Sequence, residues 1–146
     1  MASTFDEFFL TDEKKSLEGV RIIVGYNQND NEVALWVAEA GNKKHEKVQR
    51  KFSKALEKTR HNKDKQREIM AKIIAESLLL DWEGVLDDKG EAIPCTLENK
   101  IKALTKYKKL FLEVLENSSD AENFQVDTSY DDAEATDDAE EDSLKN

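Results

Sequence analysis

Cys95, His45, His61 and the acid-rich segment from Asp81 to Glu98 are the residues whose types could do chemistry, and their spacing tests each. A thiol becomes a nucleophile when a neighbouring base draws off its proton. The residues flanking Cys95 supply none, so a small half-buried residue ahead of a helix is expected there. A single cysteine forms no internal disulfide and gives no sign of an oxidising compartment. His45 and His61 stand sixteen residues apart with no Cys or His partner at ligand spacing, which argues against zinc. His45 is expected on an exposed basic face. Asp87–Glu98 has the length and terminal acid of a calcium loop. However, Lys89 fills the third loop position, where a ligand is needed, and Ala92 the sixth, where the tight turn needs glycine. Asp81, Glu83, Asp87 and Asp88 are four acids around a turn, expected to be solvated. No glycine-rich phosphate loop occurs. The residues therefore assemble no catalytic constellation, no metal site and no cofactor site, and the expected role is not enzymatic.

Charge points to binding instead. The net charge of −10 comes from one end, because Ser118 to Asn146 holds eleven acids and one base, Lys145. The rest of the chain is balanced. Within it, residues 43–72 carry twelve Lys or Arg against four acids. Lys43, Lys44, Lys47, Arg50, Lys51, Lys54 and Lys58 make a candidate basic face. Such a face can neutralise phosphates, but a neutral body and an acidic tail favour a solvated or protein-facing surface over nucleic acid. A second candidate is apolar. Trp82 follows a helix and precedes Gly84, where it either plugs the core or joins Val85, Leu86 and Ile93 at an exposed edge. Tyr107 and Phe111 are the further aromatics expected to serve a partner.

The elements that position these residues read as mainly α with a small N-terminal β-hairpin, an α+β chain of about four helices. At 146 residues, 38% hydrophobic and 37% charged, one domain is expected. Residues 1–19 read as a polar leader, with one helical turn near Thr11–Lys14 and no signal-peptide pattern. Residues 20–124 read as the folded domain. Its hairpin spans 20–38, with β-branched runs on either side of Asn27–Asn31. Helices are expected at about 43–60 (capped by Asn42), 63–81 (the central core helix), 96–105 (capped by Thr96) and 106–117. Asp87-Asp88-Lys89-Gly90 is a turn, possible as a tiny hairpin. Residues 125–146 have too few large apolar groups to offset their ordering and read as a disordered acidic tail. No apolar run approaches membrane-spanning length.

Certain short segments recur here in a characteristic order. They are Glu18-Gly19-Val20, Ala40-Gly41-Asn42, Leu80-Asp81-Trp82-Glu83-Gly84, Asp87 to Gly90, Ile93-Pro94, Thr96 to Asn99, and Asn123-Phe124. In that order and spacing, across about residues 5–124, the chain resembles the tail assembly chaperones of long-tailed bacteriophages. Glu39, where many relatives look basic, and Cys95, where an aromatic is common, depart from the pattern. The resemblance implies a chaperone in the host cytoplasm that binds the long tape measure protein and is displaced as tail tube protein polymerises. It also implies absence from the finished virion and, in many such phages, a frameshifted longer form. The rival expectations are a nucleic-acid-associated regulator whose acidic tail is autoinhibitory, and a structural tail adaptor.

Overall fold

Ser3 opens the first helix, α1 (Thr4–Phe9), its Oγ accepting from the Asp6 N–H at 3.1 Å. The computed structural model describes residues 3–127. These belong to two units, one of residues up to Asp12 together with those from Gln125 on, the other of Glu13–Phe124. In the first unit Thr11 bridges Gln125, whose Nε2 donates to the Phe8 carbonyl at 2.8 Å. The expected polar leader thus carries a helix. The expected disordered tail falls mostly on residues 128–146, outside the described residues.

The second unit begins with α2 (Glu13–Glu18), in place of the single turn expected there. Strands β1 (Val20–Tyr26) and β2 (Glu32–Val37) form the hairpin that their β-branched runs dictate. Asn27 builds its turn: Oδ1 accepts from the N–H groups of Asn29 and Asn31. Asn42 then caps α3 (Lys43–Lys51), with Oδ1 accepting from the His45 N–H at 2.8 Å. Its Nδ2 donates back to the carbonyls of Ser16 and Glu39, tying the cap to α2. One helix was expected over 43–60, but α3 and α4 (Ser53–Lys58) are separated at Phe52. Ser53 supplies the reason, because its hydroxyl donates to the Arg50 carbonyl three residues back, a bond that bends helices.

The central helix α5 (Lys63–Ser77) is followed by β3 (Leu79–Glu83). A helix was expected to run to residue 81. Instead the chain leaves the helix after Ser77 and pairs antiparallel with β2, Leu35 facing Trp82. The sheet order is β1-β2-β3. After a turn come α6 (Leu97–Lys106), α7 (Lys108–Ser118) and a 3₁₀ turn at Ala121–Phe124. The architecture is α+β, mostly helical with a three-stranded antiparallel sheet near the N-terminus. Seven α-helices occur among the described residues, the excess over four being α1, α2 and the split at Phe52.

One sheet face meets the helices. Leu35, Val37, Leu79 and Trp82 pack with Ala71, Ile74 and Leu78 of the α5 region, Leu104 of α6 and Val114 of α7. The other face carries an ion-pair cluster. There Glu83 accepts from Arg21 (Nη2, 3.0 Å) and from Trp36 Nε1, while Arg21 Nη2 also reaches Glu32 at 3.0 Å. The Arg21 and Trp36 bonds hold the Glu83 carboxyl below the usual carboxylate range.

His45 corrects another expectation. It is 9% exposed, and its Nδ1 accepts the Gly41 N–H at 2.9 Å, which fixes the neutral ring. Burial pushes its pKa below 6.5, against a weaker opposing pull from Glu46. The unfolded chain therefore takes up a proton near pH 6.5 that the folded chain resists, so stability falls as pH drops through that point. Replacing His45→Gln, which retains an acceptor for Gly41, should remove this part of the slope. Urea unfolding at mildly acidic and neutral pH checks it; identical pH dependence in both proteins would contradict it.

Candidate protein-binding groove

Gly84 decides where the groove lies. Its φ is +76°, and a Cβ there would stand 2.2 Å from the Glu32 carbonyl oxygen. Only glycine lets the chain leave β3 so close to β2. Asn27 Nδ2 clamps the exit, donating to the Gly84 carbonyl at 2.9 Å. Beyond it the chain makes the tiny hairpin: the Ile93 N–H donates to the Val85 carbonyl at 2.9 Å, and Leu86 bridges Ala92. Asp87 holds the turn, Oδ1 accepting from the N–H groups of Lys89 and Glu91, both at 2.9 Å. That oxygen is therefore engaged by the backbone of the turn. Among the described residues no cluster of His, Cys, Asp or Glu is arranged to hold a metal.

Trp82 is anchored at both ends of its role. Its ring is 8% exposed and belongs to the core, and Nε1 donates to the Ile93 carbonyl at 2.8 Å. Thr96 then caps α6, Oγ1 accepting from the Asn99 N–H at 3.1 Å, and Asn99 Nδ2 donates back to the Pro94 carbonyl at 2.9 Å. These bonds set α6 across from the small hairpin. Between them runs an open groove of about 490 Å³. It is lined by Val24, Val33 and Leu35 of the sheet, by Trp82, by Val85, Leu86 and Ile93 of the small hairpin region, and by Ala103, Tyr107 and Leu110. Lys102 and Lys106, one helical turn apart on α6, also line it, with Asn99.

Five of the six residues expected to serve a partner, Trp82, Val85, Leu86, Ile93 and Tyr107, thus line a single groove. Phe111 does not reach it. Its ring is 8% exposed in the core, with the Arg67 guanidinium 5.5 Å from its centroid. The sheet residues Val24, Val33 and Leu35 were missed. Only the tertiary pairing of β2 with β3 brings them to the groove, and no local pattern records that.

The basic residues divide. Lys43, Lys44, Lys47, Arg50 and Lys51 line a concavity together with Leu17, Val48 and Glu76, the last bound to Lys51 Nζ at 3.0 Å. Lys54 and Lys58 are on α4 and do not line it. Cys95 is half-buried; burial pushes its thiol pKa up, opposed by Lys100. Lys100 Nζ in turn donates to the Leu79 carbonyl at 3.0 Å, and burial pushes its pKa down. Among the described residues no helix is long and apolar enough to cross a membrane.

The scaffold is α+β and carries an apolar groove and a cationic concavity, and comparison with known families gives its origin as a phage. The chain belongs to the family described as YdaY prophage protein, whose model matches residues 37–135, more than half of its length. That span holds the small hairpin, α6 and Tyr107, and so most of the residues that line the groove. No curated protein and no solved structure matches.

Proposed function

We propose that this phage-derived chain is a tail assembly chaperone, a non-enzymatic protein that binds and solubilises a tape measure protein in the host cytoplasm. The observation that carries the reading is the groove. It brings Leu86, Ile93, Tyr107 and Leu110 to one open apolar concavity, a surface that can take the apolar stripe of an amphipathic helix. A tape measure protein is largely such helix, and covering its stripe during synthesis would keep it from aggregating. Lys102 and Lys106 add charge to the lining, which suits an occupant that must later be released as tail tube protein polymerises. The segment order from Glu18 to Phe124 supports the same reading. On it the protein helps recruit tail tube subunits, a frameshifted longer form of the chain is a further partner, and the finished virion lacks it.

Co-expression with the tape measure protein of the same phage tests the proposal. The expected result is a soluble tape measure protein that co-purifies with the full chain, and no copy of the chain in purified virions. An equally insoluble tape measure protein with and without the chain would contradict it. Stoichiometric presence in virions would favour a structural tail adaptor. The cationic concavity supports a second reading, a nucleic-acid-associated regulator. Duplex binding that falls steeply with added salt, and is lost on replacing Lys43, Lys47 and Arg50 by Glu, would favour that reading.

A further inference from the structure

The cations of α3 meet in one place. Lys43, Lys44, Lys47, Arg50 and Lys51 all line the concavity, and all five are exposed. The one acid among its lining residues, Glu76, is already bound to Lys51. No ion pair among the described residues holds the other four. Lys43 and Lys47, then Lys47 and Lys51, stand one helical turn apart, where like charges repel and destabilise a helix. An anion laid over them relieves that repulsion. No residue lines both this concavity and the apolar groove, so an occupant of the groove leaves these charges unanswered.

We propose that residues 131–142 of the same chain occupy this concavity and hold it closed to other polyanions. Their sequence matches it in charge, with eight acids in twelve residues and no base. The course of the chain matches it in reach. The 3₁₀ turn Ala121–Phe124 touches α2, the helix that brings Leu17 to the concavity. α2 has six residues and is about 9 Å long. Residue 131 follows Phe124 by seven residues, a stretch that spans at most about 25 Å, so the acids begin within reach of α3. Another hollow, lined by Lys72, Lys102 and Lys106, fits less well, because Glu68 lines it too and Lys102 is bound by Glu98. A single exposed ion pair contributes little. A tethered segment, however, meets its site at an effective concentration in the millimolar range, so several weak pairs together hold it. Salt releases it, since the pairs are exposed. Any acidic or phosphate-bearing competitor must first displace the segment, which sets a threshold for binding at the concavity and leaves the apolar groove open.

Carbodiimide cross-linking of the full chain tests this without any partner protein, so its failure is separable from failure of the chaperone reading. The reagent joins a carboxylate to an amine in contact with it, forming an amide and taking up the water lost. At low salt, mass spectrometry should find links from residues 131–142 to Lys43, Lys44, Lys47 or Lys51. These links should vanish at about 1 M sodium chloride, where charges are screened within about 3 Å. Lys54 and Lys58, on α4 and outside the concavity, should link only at background level. In a mixture of isotopically light and heavy chains, the links should join residues of one chain. Replacing the eight acids by their amides should raise the rate at which acetic anhydride modifies Lys43, Lys44 and Lys47 several-fold, with Lys54 and Lys58 unchanged. Four results would each overturn the proposal. They are no links at low salt, links to Lys54, Lys58, Lys102 or Lys106 as frequent as those to the concavity, links between light and heavy chains, and lysine reactivity untouched by the amide replacements.

Discussion

Gly84→Ala is expected to lower stability by about 3 kcal/mol, a large part of the margin of a domain this size. Two costs add. An alanine at φ +76° is strained whatever the space around it, and its Cβ would meet the Glu32 carbonyl at 2.2 Å, backbone that cannot swing aside. Relief requires β2 and the exit from β3 to separate, which breaks the Asn27 bond to the Gly84 carbonyl. The thermal midpoint should drop by roughly 10 °C. Gly90 is the control. It too has positive φ, at +83°, but a Cβ there meets nothing, so Gly90→Ala should lose only the strain and cost less. Equal midpoints for the Gly84 and Gly90 variants would show that close approach to β2 is not what position 84 requires.

Trp82→Ala is the second large effect. The ring is a buried face of the core and a boundary of the groove, and truncating such a side chain costs about 3–5 kcal/mol. The two roles separate in Trp82→Phe. Phenylalanine keeps most of the apolar contact but leaves the Ile93 carbonyl without its indole donor, a loss of about 1–2 kcal/mol. Denaturant unfolding should rank wild type above Phe above Ala. Because Ile93 is held by that bond, both variants should also weaken partner binding. An alanine variant as stable as the phenylalanine one would mean that packing at position 82 contributes little.

Local chemistry was legible wherever a residue acts on its own neighbours. Asn42 and Thr96 cap the helices their sequence positions suggest, each accepting from the N–H three residues on. Asn27–Asn31 and Asp87–Gly90 turn the chain as their side chains allow. Legibility ended where a distant segment decides the outcome. Leu78-Leu79-Leu80 suits a helix or a strand, and pairing with β2 settles it as the latter from Leu79 on. His45 sits among lysines in sequence, yet the Asn42 cap and Gly41 turn its ring inward. Phe111 and Tyr107 lie one helical turn apart and look alike as aromatics, but one fills the core and the other stands 53% exposed beside the groove. Ser53 is a subtler case. A hydroxyl inside a helical run is an ordinary sight, and the split at Phe52 appears only through its bond to Arg50.

The question of whether Trp82 plugs the core or marks an edge has a structural answer that includes both. Its indole is held inside by the Ile93 carbonyl while its exposed margin continues into Val85, Leu86 and Tyr107. That continuity links the fold to the proposed role: the residues that turn the chain from the central helix toward α6 are the same ones that frame the groove. The double variant Leu86→Asp with Tyr107→Ala therefore offers the most direct test. Both side chains line the groove and neither belongs to the buried core. The full chain and the variant would each be co-expressed with the tape measure protein of the same phage and the recovered complex quantified, with thermal unfolding as the check on folding. If the groove holds the tape measure protein, the variant folds and recovers little or none of it. A folded variant that recovers it as well as the wild type would contradict the account.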